Sequence, residues 1–401
     1  MSSFTWLDYS EHDRQKAIEV VRLFAEKGTV DELGIGTVRD AFSDILFPGT
    51  STLHTRARYF FFIPWHYRRL EGRQLSSAAD LAAQVRKDEV TLINALAESD
   101  DVDGVIGIEA RETLKNLPSL LYWQGLQALG FRLVEGGQAA FHRRLAGLGG
   151  TRTREEIRTD DGDPLGGGQV AFWHPGIPDA AEGFPKEASF QLTRAEARFF
   201  QDRVRERVGK SLLAWLLREG SGIEDADLPW QHPRLGHMPS EHREQLMHAR
   251  NFSETMRGAA LLYNLMLAEL SGDRELVDDY REELEGWVQQ MRTRASELER
   301  WDRRAMWSLV LRQNPGIPFR SQAFIQQWLE IACDPNAAAT VAEEQKVRTL
   351  IQHRERALKG GLARLSNQRA LERWSGESGT AQLSFRWANV RAMVTDVLSA
   401  A

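Results

Sequence analysis

The feature that most constrains the fold is a long stripe of apolar residues at helical spacing in the second half of the chain. Between residues 274 and 300 the stripe repeats at alternating steps of three and four, at Val277, Tyr280, Leu284, Trp287, Met291, Ala295 and Leu298. This spacing places side chains on one face of an α-helix, whereas a half-buried strand alternates at every second residue. The stripe therefore predicts an amphipathic helix of about seven turns.

Helical signals of the same kind occupy most of the remaining chain. Apolar spacing predicts helices near residues 11–26, 38–46, 76–97 and 117–130. Capping boxes at Thr193–Glu196 and Thr340–Glu343 predict the starts of two more. The apolar run Tyr59–Trp65 contains Pro64, which should kink or end a helix. We therefore predict a mainly α fold.

The character of the sequence changes between residues 146 and 186, where glycine, proline and turn-forming polar residues dominate. Within this stretch, Val170–Trp173 predicts one short strand. We therefore predict two helical bodies, an N-terminal domain at 1–145 and a C-terminal domain at 187–401 with a basic end. Residues 146–186 join them as either a linker or a β-hairpin insertion. A length of 401 residues suits two or three domains of about 150 residues each.

Composition limits the class of protein and its compartment. An apolar share of 42%, with 12 Trp and 18 Phe, excludes a disordered chain. Cys333 is the single cysteine, so no internal disulfide and no multi-cysteine metal site is expected, and a reducing cytoplasm is predicted. The first residues lack the basic and apolar regions of an export signal, and no long uninterrupted apolar run occurs, so no membrane partner is expected.

Positive charge is concentrated toward the end of the chain, although the net charge is −6. Residues 346–391 contain ten Lys and Arg residues against three Glu, with tryptophans among them. Segregated cations are needed to bind phosphates, and aromatic rings stack on bases. The positions predicted to bind nucleic acid here are Arg364, Arg369, Arg373, Trp374 and Arg386. The alternative is that the aromatics face the core while the arginines face solvent or pair with the acidic helix at 274–286.

A second basic stretch at residues 51–74 contains five arginines and one glutamate. Its entrance is rich in hydroxyl groups and would present free backbone N–H groups at the start of a helix, which suits an anion. The predicted phosphate ligands are Thr50, Ser51, Thr52, Arg56 and Arg58. The alternative is that the hydroxyl groups only cap the helix.

No motif in the sequence predicts a catalytic or metal-binding residue. His232, His237, His242 and His248 lack the i, i+4 spacing of a helical metal pair. The series Asp334, Glu344 and Lys346 resembles that of metal-dependent nucleases, but a turn and a capped helix separate its members. We therefore predict no catalytic residue, no metal and no cofactor, and the sequence favours a protein that is not an enzyme.

Several segments together resemble a known family over nearly the whole chain. They include Leu33–Phe42, Leu46–Thr52, Pro118–Trp123, Trp173–Gly176 and Arg364–Glu372. The chain resembles a family of uncharacterised bacterial proteins, the domain-of-unknown-function family numbered 6361. This resemblance implies a bacterial cytoplasmic protein and an association with anti-phage defence gene clusters that also encode helicases, nucleases or methyltransferases. It supplies no catalytic residues.

The leading hypothesis is a non-catalytic accessory subunit of a bacterial defence complex. Such a subunit would bind DNA phosphates, or a helicase, nuclease or methyltransferase partner, through the two basic stretches. The alternatives are a scaffold that binds only protein and a divergent metal-dependent nuclease or hydrolase. The leading hypothesis requires that cations distant in sequence gather on one accessible surface rather than pair with internal carboxylates.

Overall fold

The computed structural model of the protein describes residues 31–71, 77–150 and 171–401. These residues are mainly helical and contain no β-strand, which confirms the predicted fold class. Their one isolated bridge pairs Arg132 with Trp173. The strand predicted at Val170–Trp173 is not formed in its described part, because Trp173 packs instead among helical side chains, including Phe141 at 5.5 Å between ring centres. The predicted helix near 11–26 lies outside the described residues.

The described residues form sixteen α-helices, numbered here in chain order. In the first half they are α1 Gly36–Leu46, α2 Tyr59–Glu71, α3 Ala78–Ala97, α4 Pro118–Ala128, α5 Gln138–Gly150, α6 Arg194–Val208 and α7 Leu212–Glu219. In the second half they are α8 Ser240–Ser271, α9 Arg274–Thr293, α10 Ala295–Glu299, α11 Arg303–Gln313, α12 Phe319–Ala332, α13 Pro335–Ala338, α14 Gln345–Lys359, α15 Gln368–Leu371 and α16 Trp387–Leu398.

The described chain forms two compact units, each built from stretches that are separated in sequence. The first unit takes its described residues from Phe47–Asp225 and Arg386–Ala401, and the second from 31–46 and Ala226–Phe385. This division differs from the predicted boundaries at 145 and 187. The described part of the predicted linker, residues 171–186, belongs to the first unit.

Side chains of α2 hold residues 171–186 within the first unit. Arg68 donates hydrogen bonds to the carbonyl oxygens of His174 at 2.8 Å and Ile177 at 2.9 Å. The indole of Trp65 donates to the carbonyl oxygen of Pro178 at 2.7 Å, and its ring packs edge-on against Phe184. Residues 171–186 therefore form an ordered loop that is attached to α2. The side chains of α2 supply hydrogen-bond donors to backbone carbonyl groups of this loop.

The core of the first unit surrounds α2, in which all residues from Tyr59 to Tyr67 are buried. The helix continues through Pro64 rather than ending there, because it is enclosed by aromatic side chains whose burial outweighs one missing backbone hydrogen bond. The last helix, α16, packs against α6 and α7 and buries Trp387 beside Phe47 at 6.0 Å between ring centres.

The second unit is organised around α8, a helix of 32 residues with α9 packed along it. The predicted helix over 274–300 is present as α9 and α10, with a break at Arg294. Trp287 of α9 lies against Gly258 of α8, and its indole donates to the carbonyl oxygen of Glu254 at 2.8 Å. The helix predicted from Thr340 begins instead at Gln345, because residues 340–344 form hydrogen-bonded turns.

A chain of buried polar groups crosses the first unit. Glu89 accepts two hydrogen bonds from Ser119, at 2.6 Å from the backbone N–H and at 2.9 Å from the hydroxyl group. The side chain of Gln138 donates to the Ser119 hydroxyl and to the Tyr67 hydroxyl, at 2.8 and 2.9 Å. Tyr67 also bonds His142 at 2.8 Å. Burial raises the pKa of Glu89 to about 7, even though the bonds from Ser119 favour its charged form.

The raised pKa of Glu89 predicts that the first unit loses stability as the pH rises. The folded state retains a proton on Glu89 that the unfolded state releases near its ordinary pKa, so the stabilisation is complete below that pKa and is lost as the pH rises through about 7. We expect Glu89→Gln to flatten the pH dependence of thermal unfolding between about pH 5 and pH 8. Glu98→Gln, at an exposed position on α3's C-terminal cap, should leave the slope unchanged. An unaltered slope in Glu89→Gln would contradict the assignment.

Candidate nucleic-acid interface

The hydroxyl-rich segment at residues 50–52 forms a closed turn between α1 and α2. The buried Thr50 hydroxyl donates to the carbonyl oxygen of Phe47 at 2.6 Å, and the Ser51 hydroxyl accepts from the backbone N–H of Leu53 at 3.2 Å. Thr52 is exposed, and its carbonyl oxygen accepts from Asn389 at 3.3 Å. Because α2 begins only at Tyr59, this turn is not the helix start that the sequence predicts. The hydroxyls of Thr50 and Ser51 are committed to local bonds.

Arg56 is neutralised inside the first unit. Its guanidinium donates to Asp396 at 2.8 Å, to Asp101 at 2.7 Å and to the carbonyl oxygen of Asp103 at 2.9 Å. The group also lies 4.3 Å from the ring centre of Phe190. Burial lowers the pKa of Arg56, but the hydrogen bonds to Asp396 and Asp101 outweigh it and raise the pKa above the ordinary value. Two carboxylates already fill the positions that a phosphate would take.

Arg58 is buried and bound to the start of α6. It donates to Glu196 at 3.0 Å and to the carbonyl oxygen of Ser189 at 2.9 Å. Glu196 is also the third residue of α6 and forms a capping box with Thr193, as the sequence predicts. Arg58 therefore joins two parts of the first unit, and a buried ion pair of this kind is unavailable to an external anion.

Arg386 lies in the first unit beside the turn at residues 50–52, with a left-handed backbone conformation at φ 68°. Its guanidinium donates to the carbonyl oxygen of Thr50 at 2.8 Å. Asn389, one turn further on, donates to the carbonyl oxygen of His54 at 3.0 Å. The structure thus brings Arg386 close to the entrance of the basic stretch at residues 51–74, where it donates to a backbone carbonyl group.

Arg364 lies in the second unit and is also paired. It donates to the carboxylate of Glu32 at 2.5 Å and to the hydroxyl of Ser378 at 3.3 Å. Lys359 contacts the other oxygen of Glu32. Other cations in this part of the chain have internal partners as well: Arg348 pairs with Glu269, and Arg354 donates to the carbonyl oxygen of Leu33 at 2.7 Å.

Arg369 and Arg373 differ from the other predicted arginines. Both are exposed, and within the described chain neither guanidinium group has an ion pair or hydrogen bond. Arg369 lies on the short helix α15, and Arg373 follows one turn later. The same holds for Lys346 at the start of α14 and for Arg356 near its end. Lys346, Arg356, Arg369 and Arg373 are therefore the cations of the basic stretch at residues 346–391 that, among the described residues, are most available to an external anion.

Trp374 follows Arg373 directly and is partly exposed. Its ring lies 6.4 Å from the ring of Tyr280, and its buried indole N–H has no hydrogen-bond partner in the described part of the chain. Tyr280 in turn donates to the carbonyl oxygen of Gly376 at 2.6 Å. This side of the Arg373 segment therefore packs on the acidic helix α9.

Sequence reasoning missed the carboxylates that neutralise the predicted arginines. Asp396 lies 340 residues from Arg56, Glu32 lies 332 residues from Arg364, and Glu196 lies 138 residues from Arg58. No local spacing signals a pair so far apart in sequence. The capping box of Glu196 was the only visible sign that one of these acids has a structural role.

Neither a metal-binding cluster nor a membrane-spanning helix occurs among the described residues. No three His, Cys, Asp or Glu side chains in residues 31–71, 77–150 and 171–401 are placed to share a metal ion. In the same residues, no helix has both the length and the apolar character needed to cross a bilayer.

Comparison with known proteins assigns the chain to a family but gives no function for that family. One family model matches residues 1–401, and its description is that of a family of unknown function. No curated protein matches the chain significantly. No solved structure matches it significantly either.

Proposed function

The chain belongs to the family of unknown function DUF6361, and we propose that it binds the phosphate backbone of nucleic acids through its second unit. The observation that carries this proposal is that Arg369 and Arg373 lie beside Trp374 in the basic stretch at residues 346–391, are exposed, and have no carboxylate partner among the described residues. In a chain with 57 acidic and 51 basic residues, an exposed arginine without a carboxylate partner is available to an external anion. The planar guanidinium group binds phosphate through two hydrogen bonds.

The proposed surface is narrower than the one that the sequence predicts. It consists of Lys346, Arg356, Arg369 and Arg373. It leaves out Arg56, Arg58 and Arg364, because each already donates to a carboxylate. Binding through four cations should be sequence-independent and strongly weakened by salt, since phosphate contacts release counterions and do not read base edges.

Trp374 supports single-stranded nucleic acid as the preferred ligand. Its ring is partly exposed and follows Arg373 directly, and an aromatic ring beside cations is the usual combination for stacking an unpaired base. In this proposal the protein is the nucleic-acid-binding subunit of a larger assembly. A helicase, nuclease or methyltransferase partner from a defence gene cluster is part of the proposal only through the family resemblance.

Charge reversal at Arg369 and Arg373 tests the proposal directly. We expect R369E/R373E to weaken binding to a fluorescein-labelled single-stranded oligonucleotide by about tenfold or more at low salt. The slope of log affinity against log salt should become shallower by about 0.7 for each lost contact. Fluorescence anisotropy over about 50–200 mM salt measures both quantities.

The matched control is R304E/R312E, which makes the same charge change at two exposed arginines of α11. This control should keep most of the affinity of the native protein. An equal loss in both double variants would refute a localised surface. Failure of the native protein to retain the oligonucleotide at low salt would refute nucleic-acid binding and leave a protein-only scaffold as the explanation.

A further inference from the structure

The carboxylate of Glu32 is held in the second unit as a phosphate would be held. Arg364 donates to one of its oxygens at 2.5 Å, and the ammonium of Lys359 contacts the other. The hydroxyl of Ser378 lies 3.3 Å from the same guanidinium nitrogen of Arg364. Two cations therefore hold a single anion, and the Ser378 hydroxyl group accepts a hydrogen bond from one of them. Charged Lys and Arg side chains of this kind also bind phosphate groups in proteins.

Among the described residues, Glu32 is the only carboxylate that pairs with the Arg364 side chain. The other acid of the cluster, Glu355, is buried and receives bonds from the Tyr263 hydroxyl at 2.6 Å and from the backbone N–H groups of Arg364 and Leu365, both at 2.9 Å. Lys359 contacts both acids, with its ammonium 2.8 Å from Glu355. Without Glu32, Lys359 would still be paired with Glu355, whereas Arg364 would keep only hydroxyl partners among the described residues, those of Ser378 and Tyr263.

The backbone around Glu32 is anchored independently of its side chain. The carboxylate of Asp31 accepts from the backbone N–H groups of Ile35 at 2.8 Å and Gly36 at 2.7 Å, at the start of α1. Arg354 donates to the carbonyl oxygen of Leu33 at 2.7 Å. The Glu32 side chain can therefore leave the cluster by rotation about its own bonds, with α1 still in place.

We propose that Lys359, Arg364 and Ser378 form a second phosphate site on this unit, which Glu32 occupies until a phosphate of a nucleic-acid backbone replaces its carboxylate. This inference rests on the proposed function. Arg364 precedes Arg369 by five residues in the same segment, so the site would extend the contacts made by the exposed arginines. The partly exposed side chains of Lys359 and Arg364, at 21% and 23%, give a phosphate access from solvent.

Removing the charge of Glu32 tests the site. We expect Glu32→Gln to raise affinity for the labelled single-stranded oligonucleotide by about threefold to tenfold, and to steepen the salt dependence by about one phosphate contact. The gain should disappear in E32Q/R364Q, because Arg364 is the cation that Glu32 covers. Glu275→Gln removes an exposed carboxylate of α9 that pairs with no side chain in the described part of the chain, and it should leave the salt slope as in the native protein.

The outcomes separate this inference from the proposed function. If R369E/R373E weakens binding but Glu32→Gln neither strengthens binding nor steepens the slope, the second site is refuted and the proposed function stands. If neither the native protein nor Glu32→Gln binds the oligonucleotide, both are refuted. Thermal stabilisation of Glu32→Gln by inorganic phosphate, with no gain for the oligonucleotide, would refute a nucleic-acid site. Should Glu32→Gln not fold, Glu32→Ala, which also removes the carboxylate, carries the same expectations.

Discussion

Replacing Glu254 by alanine should lower the free energy of unfolding of the second unit by about 3–5 kcal/mol. Glu254 is buried in α8, where it pairs with the buried Arg294 and also accepts from Arg250 at 2.9 Å. Without it, Arg294 would retain Asn251 at 2.8 Å and the exposed Glu297 at 2.7 Å as side-chain partners. A buried guanidinium group loses its hydration on folding, and its ion pairs and hydrogen bonds must make up for that loss. Removing one of the two carboxylates that pair with Arg294 therefore destabilises the folded state.

Urea unfolding followed by helical circular dichroism measures this loss. The matched control is Glu283→Ala, which breaks the exposed ion pair between Glu283 and Arg257 at 2.8 Å. Exposed pairs contribute less than about 1 kcal/mol, so the control should be nearly as stable as the native protein. Equal losses in the two variants would show that burial does not determine how much these ion pairs contribute to the free energy of unfolding.

Truncating Trp287 to alanine should cost about 3–5 kcal/mol of unfolding free energy. Trp287 is fully buried between α9 and α8, and its indole N–H bonds the carbonyl oxygen of Glu254. Its ring fills the space above Gly258, where an added Cβ would lie 2.3 Å from two ring atoms. Removing the ring leaves a cavity and also removes the indole hydrogen bond to the Glu254 carbonyl oxygen, so a large loss is expected.

Trp307→Ala is the control for this prediction, because Trp307 on α11 is only partly buried. It should lose clearly less stability in the same urea titration. A further check uses Gly258→Ala, which should destabilise the native protein by about 1–3 kcal/mol through overpacking but should be tolerated once Trp287 is alanine. Simple additivity of the two changes would contradict the close approach of α8 and α9.

The sequence was sufficient to predict most helices, because their signals are local. The apolar stripe over 274–300 predicts α9 and α10, and Thr193 with Glu196 predicts the start of α6. The break at Arg294 was not visible, since it accompanies the ion pair that Arg294 makes with Glu254 on another helix. Thr340 predicts a helix start five residues too early, because a capping-box pattern also occurs in consecutive turns.

The division into units and the state of the arginines could not be predicted, because both depend on contacts between distant residues. Arg56 looks like a phosphate ligand in its local context, yet Asp396 neutralises it. Arg369 has the same local character and remains exposed and unpaired among the described residues. A count of charges along the chain cannot distinguish these two arginines, because pairing is decided by tertiary packing.

Because α16 belongs to the first unit but follows the second unit in sequence, the first unit cannot be completed until late in translation. Residues 386–401 emerge from the ribosome after the whole of 226–385, so a nascent chain presents α6 and α7 without the helix that covers them. Asp396 likewise arrives last, and until then Arg56 lacks its main counterion. Vectorial synthesis therefore allows the second unit to close first, while the first unit still lacks α16 and leaves the surface that α16 covers open to solvent.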